Sequence, residues 1–232
     1  MDRLNHEAVY RHHLESLRQT YPDKTAFELA IGGNFDAVGD LEYRLLKRAG
    51  LNDKSHLIDV GCGSGRLPKA LYTAGFEGSF LGLDILEELI IYARKLTPKS
   101  NFRYQHISNF QIPASDESTD FITFFSVFTH LLLEESFLYL KEAKRVLKPG
   151  GMLIFTFLEL REAAHWKVFQ QTIKNLGKPI HLNSFIERSA IETWASRLAF
   201  TFVETWAGSE PFIPALNGTK EKFGQSVAIL KK

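Results

Sequence analysis

The sequence predicts an α/β fold built on an open, mostly parallel, doubly wound sheet, and three observations carry that prediction. From Leu57 onward, short apolar runs alternate with amphipathic stretches. One run, Leu57-Ile58-Asp59-Val60, stops at glycines in alternate positions, Gly61, Gly63 and Gly65. Another, residues 79–83, ends on an acid, Asp84. Alternation of this kind implies parallel strands joined by right-handed crossovers, with helices on both faces.

The elements follow in chain order. Residues 3–18 predict a helix, with Leu4, Val9, His13, Leu14 and Leu17 as a loose apolar stripe. Tyr21-Pro22-Asp23 breaks it, and residues 30–35, with Gly32 and Gly33, read as a loop. A second helix runs from about 36 to 49 and stops at Gly50. These residues lie outside the sheet pattern. Residues 1–50 are therefore expected to form an N-terminal helical cap, acting as a lid, a dimer arm or plain packing, on a main unit of 51–232. With no linker between them, the two form one compact unit.

In the main unit, residues 57–60 are the first strand and residues 67–74 a helix opened by the glycine turn. The second strand covers 79–83, a helix follows over 86–96, and the third and fourth strands cover 101–106 and 119–125. Residues 134–147 form a strong helix, with Phe137, Leu140, Ala143 and Leu147 at three- and four-residue steps. Pro149-Gly150-Gly151 then turns the chain into a fifth strand, 152–158. Residues 162–176 predict a helix closed by Gly177 and Pro179. Ser189-Ala190-Ile191-Glu192 has the spacing of a capping box and starts another. Residues 200–206 and 226–230 read as two final strands without a full helix between them, which implies an antiparallel pair at the sheet edge.

Composition narrows the function classes. Lys+Arg number 28 against 27 Asp+Glu, a net charge of +1, which argues against a protein that works by gripping nucleic-acid phosphates. The nineteen phenylalanines are scattered through strands and helices and read as core, not as a stacking platform for single strands. Cys62 is the single cysteine, so no internal disulfide forms. Residues 1–10 are polar, and the most apolar run, 121–133, falls short of the roughly 18–20 residues that a membrane span requires. A cytoplasmic protein, free of membrane and nucleic acid, is the expectation. No His/Cys cluster has metal-ligand spacing, and no carboxylate trio suits magnesium, so no metal is expected.

In open parallel sheets, ligands bind beyond the carboxyl ends of the strands. The glycine turn opens onto a helix N-terminus, whose free N–H groups and partial positive charge suit a nucleotide-like or carboxylate-bearing ligand. Asp84, about twenty residues further on, can accept both hydroxyls of a ribose. Its competing role is to cap the helix that follows.

The set Asp59-Val60-Gly61-Cys62-Gly63-Ser64-Gly65, Asp84, and Leu147-Lys148-Pro149-Gly150-Gly151 resembles the class I S-adenosylmethionine-dependent methyltransferases. Ser126-Val127-Phe128-Thr129-His130-Leu131 is similar to a bacterial small-molecule branch of them. The resemblance spans residues 57–158. It implies a Rossmann-like, seven-stranded sheet with an antiparallel terminal strand, and S-adenosylmethionine as cofactor. It also implies that Asp59 and the turn Gly61, Cys62, Gly63, Ser64 and Gly65 face the methionine part. Asp84 would take the ribose, Ile85 one adenine face, Ile107 and Ser108 the other, while Phe125 and Ser126 border the sulfonium. Where relatives carry an aspartate, this chain has Ser108. The spacing G-x-G-x-G, with Arg66 next, departs from the dinucleotide pattern G-x-G-x-x-G and counts against a nicotinamide cofactor.

On the acceptor side, His130 is the best-placed general base, with local backbone bonding as its bland alternative. His165 and Trp166 follow the fifth strand and are candidates for lining the acceptor pocket. His12, His13, Tyr21 and Phe35 reach the site only if the N-terminal helices fold over it. Trp206 and Phe212 are read as core ahead of substrate contacts. The fourth strand is followed by Ser126-Val127-Phe128-Thr129, not by Asn/Asp-Pro-Pro-Tyr/Phe, which speaks against nucleobase or glutamine-amide methylation. Methyl transfer to a small-molecule or carbohydrate-linked acceptor is expected, oxygen ahead of nitrogen, by a monomer or homodimer. The rivals are an NAD(P)-dependent oxidoreductase and a protein that holds S-adenosylmethionine without turnover.

Overall fold

A computed structural model describes residues 6–178, 181–215 and 217–232. Eight helices and nine strands are found among them, in the order α1 (His6–Thr20), α2 (Asp23–Leu29), α3 (Phe35–Arg48), β1 (His56–Val60), α4 (Arg66–Thr73), β2 (Ser79–Asp84) and α5 (Glu87–Leu96). Then come β3 (Phe102–His106), β4 (Thr119–Phe124), α6 (Leu133–Val146), β5 (Leu147–Phe157), α7 (Ala163–Lys174) and α8 (Arg188–Arg197). The chain ends through β6 (Thr201–Trp206), β7 (Ile213–Pro214), β8 (Lys220–Glu221) and β9 (Ser226–Lys231).

Seven strands make one sheet in the order β3-β2-β1-β4-β5-β9-β6. The first five run parallel; β9 lies antiparallel between β5 and β6. Strand order reverses between β1 and β4, so the tips of those two strands open a crevice. The central strands are buried on both faces, as their unbroken apolar runs require. One core layer joins β1, β4 and β5 to α6 and α8 through Ile122, Phe124, Leu140, Phe155 and Ile191. The opposite layer joins them to α3, α4 and α5 through Leu45, Leu67, Leu71, Phe80 and Ile90.

Several expectations shift. The Pro-Gly-Gly turn lies inside β5, where the register against β4 slips between Thr119 and Phe121. The bulge keeps both flanks of the turn in one strand. Ser189 sits within α8, not at its cap: the helix starts one residue earlier and Glu187 holds the cap position. A short helix, α2, fills part of the expected break after Tyr21. The loop between the last two sheet strands carries the β7–β8 hairpin, tied to α3 by Arg44, which bonds the Pro214 carbonyl at 2.6 Å and pairs with Glu221. Trp206 and Phe212 stack at 4.9 Å in the core under the Arg48 guanidinium. The start of the predicted first helix, residues 3–5, and Pro179 lie outside the described residues. No helix among the described residues is long and apolar enough to cross a membrane.

Candidate active site

The crevice at the strand tips is a cavity of about 640 Å³, within the size range of small-molecule sites. Its floor is the turn after β1. Gly61 and Gly63 have φ of 76° and 55°, a region that costs any residue with a Cβ. Both are also crowded: a Cβ on Gly63 would lie 2.7 Å from Cγ2 of Ile31, and one on Gly61 would collide with Val127. Bare backbone is therefore needed here for shape as well as conformation.

Asp84, at the end of β2, binds the same turn. Its Oδ2 accepts from Gly63 N at 2.8 Å and its Oδ1 from Leu86 N at 2.9 Å. The capping alternative thus describes part of what Asp84 does, yet each carboxylate oxygen keeps a lone pair. Burial pushes this carboxyl above the usual range, against the pull of the backbone N–H groups of Leu86, Gly63 and Ile85. Asp59 is buried too. Its Oδ1 accepts from the Thr123 hydroxyl at 2.7 Å, and burial, then nearby Glu42 and Asp84, hold its carboxyl well above the ordinary value.

Most predicted cofactor residues meet in this cavity: Asp59, Gly61, Cys62, Gly63, Asp84 and Ile85 line it, as do Ile107, Ser108, Phe125 and Ser126. Ser64 and Gly65 do not. The Ser64 hydroxyl is buried and donates to the Phe27 carbonyl at 2.8 Å, anchoring α2 to the turn. Gly65 packs on Ala93 of α5, where a Cβ would come within 2.8 Å. Ser126 has φ of 59°, held by its N–H on the Thr156 hydroxyl at 2.7 Å. Gln225 receives the hydroxyls of both Thr156 and Ser126, at 2.6 and 3.1 Å.

The far end is a chamber that the N-terminal helix helps to wall. His130 donates from Nδ1 to the Leu182 carbonyl at 2.7 Å, so Nε2 keeps its lone pair when the ring is neutral. Burial pushes its pKa down to about 4; His181 and His6 push the same way, and the Leu182 bond resists. Tyr10 meets the His130 ring edge-on at 5.8 Å and stacks on His181 at 6.1 Å; His13 meets His181 at 6.0 Å. Burial lowers the pKa of His13 and His181 and raises that of Tyr10. Burial thus favours the neutral forms of the rings that wall the chamber. Nearby, His6 bonds Glu135 at 3.0 Å, joining α1 to α6.

Two acceptor candidates are displaced. His165 is buried, but Nδ1 accepts from Glu159 N at 3.1 Å and Nε2 donates to the Gly224 carbonyl at 2.9 Å. Both ring nitrogens are spent on backbone and the ring lines no part of the cavity. Trp166 is 44% exposed and packs on Phe169 at the surface of α7. Phe35 is buried under Lys69, away from the crevice, and His12 and Tyr21 face solvent. Sequence reasoning missed Tyr10, His6, His181 and Gln225. Only His6, Tyr10 and His13 carry a readable signal, their four- and three-residue spacing along one helix face.

Residues 58–155 match a family described as a methyltransferase domain. A ubiquinone biosynthesis O-methyltransferase from Hydrogenovibrio crunogenus is 26% identical over 191 residues, 79% of this chain and 77% of that protein. A demethylmenaquinone methyltransferase from Staphylococcus aureus is 32% identical over 113 residues; the match spans 48% of this chain and under half, 46%, of the relative. Among solved structures, magnesium protoporphyrin IX methyltransferase from Synechocystis, with bound S-adenosylhomocysteine, superposes with a TM-score of 0.67 at 15% identity, covering 98% of this chain and 97% of that one. An S-adenosylmethionine-dependent methyltransferase from Methanosarcina mazei gives 0.61 at 19%, over 81% and 96%. At those identities the two structures speak for the fold alone.

Proposed function

Because the chain belongs to the class I S-adenosylmethionine-dependent methyltransferases, we propose that it moves a methyl group from S-adenosylmethionine to a hydroxyl of a small, ring-bearing acceptor. One observation carries the acceptor half: the cavity that contains Asp84 and the glycine turn runs on into a chamber walled by Tyr10, His13, His130 and His181. The names of the two relatives, a ubiquinone biosynthesis O-methyltransferase and a demethylmenaquinone methyltransferase, favour a quinone-like ring over a carbohydrate, and the first favours oxygen.

The residues fit the cofactor. A cradle that a Cβ would fill lies beside a buried carboxylate with spare acceptor capacity, and apolar Ile85, Leu86 and Ile107 flank it. Gly61, Cys62 and Gly63 would take the amino-acid part, with Asp59 beside them. Asp84 would take the ribose hydroxyls, Ile85 and Ile107 the adenine faces, Ser108 the adenine edge, and Phe125 and Ser126 the surroundings of the sulfur. Ser64 and Gly65 shape the turn without touching the ligand. When bound, the cofactor supplies a methyl group made electrophilic by the sulfonium.

What the chain must add is alignment, and fixed geometry alone is worth several kcal/mol of barrier. In this reading the 1–50 cap completes the chamber through α1 and holds the acceptor ring against Tyr10 and His181. His130 Nε2 accepts the hydroxyl proton in a hydrogen bond. A ring with a pKa near 4 takes that proton only late, as the oxygen becomes bonded to carbon and turns strongly acidic. Transfer is then downhill even to a weak base.

The test is incubation with methyl-tritiated S-adenosylmethionine and a panel of mono- and dihydroxylated aromatic rings, aromatic amines and sugars. Label on ring hydroxyls is expected. Label confined to sugars or amines would overturn the acceptor reading. Thermal shift adds a check on the cofactor: S-adenosylhomocysteine should raise Tm and NAD should not.

A further inference from the structure

Gln225, the residue before β9, brings to the cavity wall a side chain that the proton transfer above does not use. β9 runs antiparallel to β5, with Ser226 paired to Phe157, so Gln225 arrives at the carboxyl ends of the parallel strands. Its backbone is held just upstream. Phe223 stacks on Phe125 at 5.6 Å, and the Gly224 carbonyl accepts from His165 Nε2 at 2.9 Å. The side chain is held as firmly: Oε1 accepts from Thr156 Oγ1 at 2.6 Å and from Ser126 Oγ at 3.1 Å.

The direction of that amide follows from its partners. Thr156 is buried and its oxygen already accepts from Ser126 N at 2.7 Å, so its single proton goes to Gln225. The reverse orientation would leave this buried proton without an acceptor among the described residues, which is costly. With the oxygen turned to the wall, Nε2 keeps two N–H groups that meet no acceptor among the described residues. Gln225 lines the cavity together with Phe125 and Ser126, the pair that border the sulfur in the cofactor reading. His130 belongs to the same local turn: its N–H donates to the Val127 carbonyl at 2.9 Å, and Thr129 Oγ1 donates to the Ser126 carbonyl at 2.9 Å. The cavity thus offers a spare acceptor on His130 Nε2 and two spare donors on Gln225. An N–H pair gains nothing from a sulfonium cation. Its complement is an oxygen with free lone pairs, carried by the acceptor itself.

We propose that Gln225 determines acceptor specificity: its amide donates to a second oxygen on the acceptor ring, a carbonyl, ether or hydroxyl, while His130 takes the hydroxyl that is methylated. The inference rests on the hydroxyl-acceptor reading above and narrows it to rings that carry two oxygens. A ring with one oxygen would leave the Gln225 N–H groups unmatched in a desolvated cavity. A site built to bond a polar group rejects an analogue that lacks it for this reason. Thr156 is a positioning residue, since it fixes which end of the amide faces the cavity. In the competing account the amide only props Ser126 in its left-handed conformation, with φ of 59°.

The readout is discrimination: kcat/KM for a methoxyphenol divided by that for the ethylphenol of the same substitution pattern, with methyl-tritiated S-adenosylmethionine at pH 8. Each pair sets an oxygen against a methylene of nearly the same shape, and any general loss of activity cancels in the ratio. The wild-type chain is compared with two variants. Gln225→Glu keeps an oxygen for Thr156 and Ser126 but replaces the N–H groups by a second oxygen; Gln225→Met keeps the length and removes both ends. Wild type should prefer the methoxy ring by about tenfold or more in one of the 2-, 3- or 4-substituted pairs, and both variants should lose that preference. A preference that survives in either variant, or a wild type that shows none in any pair, would overturn the proposal while leaving hydroxyl methylation in place. Should one variant fail to fold, the other decides. A wild-type chain that binds S-adenosylhomocysteine but labels no hydroxyl on any of these rings would overturn the acceptor reading itself, and this inference with it.

Discussion

Replacing Asp84 tests the ligand side of the crevice most directly, provided the two jobs of this carboxylate are separated. The carboxylate is 7% exposed and already holds the N–H groups of Leu86 and Gly63 at 2.9 and 2.8 Å. Asp84→Ala would leave both donors buried without a partner, a cost of about 1–3 kcal/mol each in stability. It would also remove the acceptor for two ribose hydroxyls. Hydrogen bonds to a charged acceptor are worth about 1.5–3 kcal/mol apiece. With water entering the gap, a net loss of about 3 kcal/mol in binding is expected, roughly 100-fold in Kd. Asp84→Asn keeps one acceptor oxygen and the side-chain volume, so it should cost less stability and still lose about tenfold in affinity. The assay is calorimetric titration of S-adenosylhomocysteine, paired with urea unfolding of the free protein. Affinity should also fall as the medium is acidified, at a higher pH than for an ordinary carboxylate, because the raised pKa of Asp84 brings protonation on early. A folded Asp84→Ala or Asp84→Asn protein with wild-type Kd would refute the ribose assignment.

Other expectations follow from the chamber and from the displaced residues. His130 has its pKa lowered from 6.5 to about 4, so the folded state binds fewer protons than the unfolded one in that window. Its contribution to stability is complete above pH 6.5 and is lost as pH falls towards 4, up to roughly 3 kcal/mol by linkage. Urea unfolding across that range should show the loss, and His130→Gln should reduce its slope; an unaltered slope would contradict the burial account. In turnover, His130→Gln should lower kcat by about 10²-fold or more if Nε2 takes the proton, leaving the Kd of S-adenosylhomocysteine unchanged. His165→Ala should destabilise the fold by about 2 kcal/mol, since Glu159 N loses its acceptor and the Gly224 carbonyl its donor. It should not change ligand affinity, and a large rise in Kd would restore His165 to the pocket. Gly61→Ala should lose ligand binding and lower Tm, whereas Gly50→Ala, with a φ of 101° but open space around it, should lower Tm alone.

The parts of the site that were legible in the sequence share a physical property: they are local. A strand that ends in glycines and a strand that ends in an acid each declare their role within a few residues. The parallel sheet then brings the two ends together, with Leu57 beside Phe80 and Val60 beside Leu83. Gly63 N on Asp84 Oδ2 joins positions 21 residues apart, a distance that one strand-helix-strand unit always spans. The chamber is different. His6 meets Glu135 across 129 positions, and His130 meets Leu182 across 52; neither separation follows from any repeating unit of the fold. His165 shows the converse error. Its place just after β5 made it a natural pocket residue, but the first turn of α7 directs His165 inward, and the bare backbone at Gly208 leaves room for the ring. A glycine whose missing Cβ would lie 2.9 Å from an imidazole nitrogen marks a histidine fitted into structure. The same contrast separates His130, with one nitrogen bonded and one spare, from His165, with both committed. Counting spare donors and acceptors on the polar groups that line the cavity therefore separates those that can still meet a ligand from those already satisfied, where position along the chain does not. By that count His130, Asp59 and Arg66 line the cavity with bonding capacity to spare, although chain order pointed to only two of them, Asp59 and His130.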